Sequence, residues 1–174
     1  MTADNSRLLL QGFDCIARPD ARILILGSMP GQASLRQAQY YAHPRNSFWY
    51  IMGRLFAAGP ELPYRQRLRL LQQQQIALWD VVHRCARKGS LDADIEDRTV
   101  EANDFNALFK LCPQIHSVFF NGQTAAALFK RRVLTSLDPA LSLTYQTLPS
   151  TSPAHASLSR EQKLQHWRCI TQCR

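Results

Sequence analysis

The sequence predicts a three-layer α/β/α domain built around a central four-stranded, mostly parallel sheet. Four short apolar runs rich in β-branched or aromatic residues are typical of strands, and segments with helical spacing lie between them. Strands that alternate with helices imply right-handed crossovers and a sheet covered on both faces. The chain has 174 residues, of which 45% are hydrophobic, and this length and composition predict a single domain over residues 1–174.

The first half of the chain predicts three helices and two strands. A short helix is expected over residues 6–13, and the run RILIL predicts the first strand over residues 22–26. Apolar residues at helical spacing predict helices over residues 47–57 and 64–74. The run IALWDVV then predicts the second strand over residues 76–82.

The second half continues the alternation of helices and strands. Residues 104–111 and 123–132 have helical spacing, and Asn103 is a favourable N-cap for the first of these helices. The third and fourth strands are expected over residues 115–120 and 142–148, and a last helix over residues 160–173 closes the chain. These elements complete the predicted sheet and its covering helices.

One polar stretch, residues 84–102, has no clear periodicity and carries four acidic residues close together: Asp92, Asp94, Glu96 and Asp97. We interpret it as a solvated loop rather than as a metal site. The five cysteines are an odd number and form no CxxC pair, which argues against disulfides and against zinc or iron-sulfur sites. We therefore expect reduced thiols, no metal and no cofactor.

The charge balance points to a polyanionic partner. The chain has 21 Lys plus Arg against 13 Asp plus Glu, a formal net charge of +8, and most of the cations are arginines, whose planar guanidinium fits phosphate. A solvated basic surface is the alternative that charge alone leaves open. No apolar run approaches the ~20 residues that cross a bilayer, and the N-terminus does not resemble a secretory signal, so we expect a cytoplasmic protein with no membrane partner.

Polar, turn-prone segments follow the predicted strands. Gly27–Gly31 (GSMPG) follows the first strand, Asn121-Gly122 follows the third, and residues 149–156 (PSTSPAHA) follow the fourth, while the second strand ends near Asp80. In open parallel sheets, ligands bind at the carboxyl ends of the strands. These segments therefore predict one cleft at that edge of the sheet, although GSMPG alone is equally compatible with a structural turn.

Residues 39–49 (QYYAHPRNSFW) combine aromatic rings with His, Arg and Asn. Aromatic rings stack on nucleobases, while Arg and Asn suit phosphate and base-edge contacts. Phe48 and Trp49 begin an apolar helix and are expected in the core. Tyr40 and Tyr41 precede that helix, so one of them is the better candidate for stacking on a base.

GSMPG followed by QYYAHPRNSFW resembles the uracil-DNA glycosylase superfamily, whose mismatch-specific members carry a Gly-x-x-Pro-Gly loop and then an aromatic-Ala-His-Pro-x-Asn-x-Phe-Trp segment. Asn121-Gly122 and the PSTSPAHA loop fit the superfamily's third-strand end and its DNA-intercalating loop. The first loop has Ser28 and Met29 where stronger catalysts have Asn or Asp, and Leu148 precedes Pro149 where uracil-specific branches commonly have His. The sequence also lacks the four spaced cysteines of branches that hold an iron-sulfur cluster. In this combination of features the chain resembles the hypoxanthine-DNA glycosylase (DNA-deoxyinosine glycosylase) branch.

The resemblance implies a DNA repair glycosylase that flips hypoxanthine out of DNA, hydrolyses its N-glycosidic bond and leaves an abasic site. We expect it to be monofunctional, because the four segments at the strand ends contain no lysine to form a Schiff base with the sugar, and to be a monomer. In such an enzyme the expected catalytic residues are Asn46, which orients the attacking water, and Asn121, which forms a hydrogen bond with the edge of the base. The base-binding residues are Tyr41, Ser28, Met29 and Asp80. The DNA-binding residues are Gly31, Arg45, Ser150, Ser152, Pro153, Ala154 and His155, with the basic residues 130–132 as a further candidate.

Each role has an alternative. Tyr41 could pack under its loop, Asn46 could only cap the following helix, and Asn121 could be a turn residue. Asp80 could orient another group or be a structural hydrogen-bond partner, and residues 130–132 could only complement a helix dipole. At the level of function, a uracil, xanthine or mismatch-specific glycosylase of the superfamily and a non-catalytic nucleic-acid-binding module remain open.

Overall fold

The central sheet has four parallel strands. The computed structural model describes residues 9–173, in which β2 (Ile23–Gly27), β3 (Ile76–Asp80), β6 (Ser117–Asn121) and β7 (Thr144–Leu148) are arranged in the order β3-β2-β6-β7. Each neighbouring pair runs parallel, with Leu26 opposite Trp79 on one side and Phe120 on the other. The predicted sheet and its four strands are confirmed, with small shifts at the strand ends.

Helices cover both faces of this sheet. Six α-helices are described: α1 (Gln32–Gln37), α2 (Phe48–Phe56), α3 (Tyr64–Gln73), α4 (Phe105–Leu111), α5 (Gln123–Arg132) and α6 (Arg160–Trp167). Alternate residues of β2 face opposite cores. Leu24 and Leu26 pack with α4 and α5, whereas Ile23 and Ile25 pack with α2, α3 and α6. The three-layer prediction is therefore confirmed.

A second, antiparallel sheet was not predicted. It contains β1 (Leu9–Gln11), β4 (Val82–Ala86) and β5 (Glu101–Ala102) in the order β1-β4-β5. The helix expected over residues 6–13 is wrong for residues 9–11, because this short apolar run pairs with β4; residues 6–8 lie outside the described residues. A short apolar run does not by itself distinguish helix from strand.

The interpretation of residues 84–102 as a solvated loop is also wrong in part. The stretch begins within β4, ends in β5 and contains two short 3-10 turns, at Asp92–Asp94 and Asp97–Thr99. An ion pair between Arg84 Nε and Glu101 Oε2, at 2.6 Å, links the two strands. The arginine at position 87 is buried in the same stretch.

Several boundaries differ from the sequence prediction. The run predicted as one strand over residues 76–82 divides into β3 and β4, which belong to different sheets. Asp104, not Asn103, caps α4 by accepting a hydrogen bond from the Ala107 amide, while Asn103 donates to the Asp80 carbonyl oxygen. The last helix becomes a 3-10 helix at Arg168–Gln172. Within residues 9–173, no helix is long and apolar enough to cross a membrane.

Candidate active site

A cleft of about 1140 Å³ lies at the carboxyl ends of the parallel strands, where this class of sheet binds ligands. The structure brings the predicted site residues to this cleft, with the exception of the further candidate at residues 130–132. Their chemical roles stay predictions. The cleft is lined by Ser28, Met29, Gly31, Tyr41, Arg45, Asn46, Asp80, Asn121, Ser150, Ser152, Pro153, Ala154 and His155.

The loop after β2 is held by residues of the stretch 84–102. Arg87 is 7% exposed and donates hydrogen bonds to the carbonyl oxygens of Met29 and Pro30. Ser28 donates its hydroxyl proton to Asp92 Oδ1 at 2.5 Å. Met29 also packs in the core, beside α4 and α5. The GSMPG segment is thus a wall of the cleft and a fixed structural turn at the same time.

Tyr41 has an unusual backbone conformation and a partly covered ring. Its φ of 56° lies in the left-handed region, which is rare for an aromatic residue and concentrates at functional sites. One face of its ring stacks on Phe48, with ring centroids 4.0 Å apart and an angle of 25° between the planes. The expected alternative, packing beneath the loop, is therefore part of its role, and the side chain still lines the cleft.

Asn46 caps helix α2 from the residue before the N-cap. Its Oδ1 accepts a hydrogen bond from the Phe48 amide at 2.9 Å, and Ser47 is the N-cap residue. An amide oxygen has a second lone pair, and no described residue pairs with the Nδ2 group of Asn46. Capping therefore fixes the orientation of the side chain and leaves polar capacity directed at a cleft that Asn46 lines.

Asn121 anchors the loop that follows β7. Its Oδ1 accepts from the Thr151 amide at 2.8 Å, and its Nδ2 donates to Thr151 Oγ1 at 2.9 Å. Thr151 is fully buried, and its carbonyl oxygen accepts from the Ser47 amide at 2.9 Å. The side chain of Asn121 thus holds the ends of β6, β7 and α2 together, which is more than a simple turn residue does. Its contact with the base edge stays a prediction.

The loop over residues 149–156 is held by hydrogen bonds from α6, and its tip is exposed to solvent. Lys163 is 3% exposed and donates to the Ser152 carbonyl oxygen at 3.1 Å, and the Trp167 indole donates to the Pro149 carbonyl oxygen at 2.9 Å. Ala154 at the tip is exposed, and His155 is half-buried. A loop that is anchored at its ends and exposed at its tip suits insertion into a duplex.

Asp80 lies at the end of β3 and is 3% exposed. Burial, together with the nearby negative charge of Asp92, raises the pKa of Asp80 to about 7, although the positive charge of Arg87 opposes this rise. Enclosure by the cleft walls raises the pKa of Asp92 as well, while the Ser28 hydroxyl and Arg87 lower it. Asp92 itself remains exposed to solvent overall.

The basic candidates differ in position. Arg45 is exposed and lines the cleft. The cluster of residues 130–132 is not part of the cleft lining, and Arg131 and Arg132 each form an ion pair of 2.8 Å with Asp97. These residues occupy the last turn of α5, so the expected alternative, a helix C-terminus that complements the dipole, describes them better.

Several cleft residues were missed by the sequence prediction. Ser90, Asp92 and Thr124 line the cleft, and His43 does so with its Nδ1 accepting from the Arg45 amide at 3.1 Å. The adjacency of His43 to Asn46 in the sequence was a signal, but the place of Asp92 depends on how its loop folds over β2. Residues 9–173 contain no group of three or more His, Cys, Asp or Glu side chains arranged to hold a metal ion.

The chain is similar to known proteins over most of its length. Two relatives are named hypoxanthine DNA glycosylase. One, from Methanosarcina acetivorans, is 32% identical over 94% of this chain and 98% of its own. The other, from Methanosarcina barkeri, is 40% identical over 65% of this chain and 71% of its own.

The structural and family comparisons agree with this similarity. A solution NMR structure of a Methanosarcina acetivorans protein, described provisionally as a uracil DNA glycosylase, superposes with a TM-score of 0.74 at 30% identity. It covers 94% of this chain and 99% of its own. A model of the Uracil DNA glycosylase superfamily matches residues 15–171. The matched range contains the Gly-x-x-Pro-Gly wall of the cleft and the AHPRNSFW segment at the start of α2, and the chain belongs to the uracil DNA glycosylase superfamily.

Proposed function

We propose that this protein removes hypoxanthine from deoxyinosine in DNA by hydrolysing the N-glycosidic bond, and leaves an abasic site. The observation that carries the proposal is the cleft in which Asn46, fixed by the first turn of α2, and the ring of Tyr41 meet at the ends of β2, β3 and β6. The names of two relatives supply the substrate class, because both are called hypoxanthine DNA glycosylase.

The target base must leave the duplex before it can enter the cleft. Flipping costs roughly a few kcal/mol and costs least for a mispaired base such as hypoxanthine. The exposed tip of the 149–156 loop fills the space that the flipped nucleobase leaves. Hydrogen bonds from Lys163 and Trp167 to its backbone hold the rest of the loop in place. Arg45 and His155, at the edge of the cleft, neutralise phosphates beside the lesion.

In the chemical step, the oxygen of a water molecule bonds to C1′ of the sugar while the C1′–N9 bond breaks and its electron pair leaves with the purine. The water loses one proton and the departing base gains one, so the products are an abasic sugar and free hypoxanthine. The sugar passes through an oxocarbenium-like state. Asn46 holds the water through its free polar positions, and Tyr41 stacks on the extruded ring.

The proposal includes the assembly and location of the protein. The cleft lining is drawn from most of the chain, from Gly27 to His166, which supports a single domain, and the proposed assembly is a monomer. The proposed location is the cytoplasm. Size-exclusion chromatography with light scattering tests the monomer, and one cooperative unfolding transition tests the single domain.

The function is tested with duplexes that contain one deoxyinosine, deoxyuridine or deoxyxanthosine, each followed by alkali to cut abasic sites. We expect the deoxyinosine strand to be cut most rapidly. Preferential cutting at deoxyuridine would reassign the protein to uracil, the base in the description of the NMR neighbour. Binding without any release of base would leave a nucleic-acid-binding module in place of an enzyme.

A further inference from the structure

Two buried polar atoms in the cleft make no hydrogen bond of full geometry with the described residues: Asp80 Oδ2 and Tyr41 Oη. The Asn121 side chain lies near enough to the Tyr41 hydroxyl to oppose the rise in its pKa, but both ends of its amide are engaged with Thr151. A buried polar group left without a partner is unfavourable, so such groups are rare, and a catalytic role or a missing ligand is a common reason for them. Both residues line the cleft. The two orphaned atoms therefore point to a polar ligand group at its floor.

Gly27 lies between these two side chains. A methyl group at this position would overlap Asp80 Oδ1 and would lie 3.3 Å from Tyr41 Oη. The absence of a side chain at the end of β2 thus gives the carboxyl and the phenol access to the same small space. The close approach of the Asp80 carboxyl, and not a positive φ, is what requires glycine at position 27.

The charges around Asp80 determine which form of the carboxyl is present. Asp92 faces it from the turn after β4, Arg87 from the end of β4, Tyr40 and Tyr41 from the segment before α2, Tyr64 from α3, and Cys15 from the segment before β2. Arg87 is the positive charge in this set, and it is engaged with the carbonyl oxygens of Met29 and Pro30. With burial and Asp92 raising the pKa of Asp80 to about 7, a large fraction is neutral at physiological pH.

We propose that Asp80 is a catalytic residue which, in its protonated form, donates a hydrogen bond to an acceptor atom of the departing purine, with the Tyr41 hydroxyl as a second donor beside it. The inference rests on the proposed function and deepens it. As the C1′–N9 bond breaks, its electron pair makes the purine negative, and a preorganised donor in a dry site stabilises that charge. An ionised carboxylate at the same place would repel it.

The experiment measures single-turnover release of hypoxanthine from a deoxyinosine duplex between pH 5.5 and 8.5. The wild-type rate constant is expected to fall by about tenfold or more as the pH rises above 7, because only protonated Asp80 donates. Asp80→Asn keeps an N–H donor and does not titrate, so its rate is expected to be flat with pH. Asp80→Ala has no donor and is expected to lose about tenfold to a hundredfold at pH 6.

Two further variants make the test specific. Asp92→Asn removes the negative charge beside Asp80, so the pH at which the rate falls is expected to move downward. Asp94→Asn removes an exposed carboxylate from the same turn, and its profile is expected to follow the wild type's. Circular dichroism and tryptophan fluorescence check that each variant is folded.

The outcomes separate this inference from the proposed function. A rate that rises with pH would mean that the reaction needs an ionised group, such as an Asp80 carboxylate that accepts the proton of the attacking water, and would overturn the inference. A fall with pH that persists in Asp80→Asn would assign the titration to another group. Wild-type protein that releases no hypoxanthine at any pH would refute the proposed function itself.

Discussion

Replacing the buried Asp80 by Asn is expected to stabilise the protein at alkaline pH, although it alters a residue at the heart of the cleft. Burial and Asp92 raise the pKa of Asp80 from 3.8 to about 7 in the folded protein. The folded state therefore holds a proton that the unfolded state releases, and stability falls as the pH rises from about 4 to about 7. Above that range no further stability is lost through this group.

The size of the effect follows from the difference between the two pKa values. Each pH unit of that difference is worth about 1.4 kcal/mol, so ionising Asp80 in the folded protein costs on the order of 4 kcal/mol. Asn is neutral at every pH and has nearly the same shape. The free energy of unfolding of Asp80→Asn, relative to the wild type, is expected to increase between pH 4 and pH 8 by up to this amount.

Urea unfolding followed by tryptophan fluorescence measures this difference, because Trp49 and Trp167 are buried in the core. Groups that titrate in both proteins cancel in the comparison. Asp94→Asn, which removes an exposed carboxylate, is the matched control and is expected to follow the wild type at each pH. A stability difference between Asp80→Asn and wild type that is the same at pH 4 and pH 8 would refute a raised pKa for Asp80.

Three other predictions concern catalysis and DNA binding. Asn46→Ser keeps a capping oxygen, whereas Asn46→Ala is expected to lose about 1 kcal/mol of stability. Both variants are expected to lose about a hundredfold or more in single-turnover rate while still binding DNA. Near-wild-type release of hypoxanthine by Asn46→Ser would leave Asn46 as a cap only. DNA affinity is expected to fall linearly on a log-log plot against salt, and Arg45→Gln to reduce the slope in a fluorescence titration; a flat dependence would remove DNA binding as the reason for the basic surface. Borohydride is expected to trap no covalent enzyme-DNA adduct, because Lys163, which contacts the 149–156 loop, is buried and bonded to the Ser152 carbonyl oxygen. A trapped adduct seen by gel shift would contradict simple hydrolysis.

The central sheet could be predicted from the sequence because its signals are local. The run at β2 is buried along its whole length, as expected for a parallel strand covered on both faces, and turn-forming residues mark the strand ends. The second sheet could not be predicted in this way. Leu9 is placed opposite Ala86, and Arg84 opposite Glu101, and these pairings between distant segments leave no periodic pattern in the chain.

The site was predicted as a set of residues but not as a set of contacts. The rule for strand ends and the resemblance to the superfamily brought Tyr41, Asn46 and Asn121 to one cleft. Which groups they bond to depends on the packing of loops, as in the pairing of Asn121 with Thr151. The position of Asp92 beside Ser28 likewise depends on how Arg87 fastens the loop after β2.

Hydrolysis of deoxyinosine is tested most directly by the amount of free base that the wild-type protein releases from a duplex with a single deoxyinosine, measured by chromatography under single-turnover conditions. We expect one hypoxanthine and one alkali-labile abasic site for each duplex, and no adenine from the matched duplex that carries deoxyadenosine at the same position. Folded, DNA-binding protein that releases no hypoxanthine, or that releases adenine equally well, would contradict this expectation.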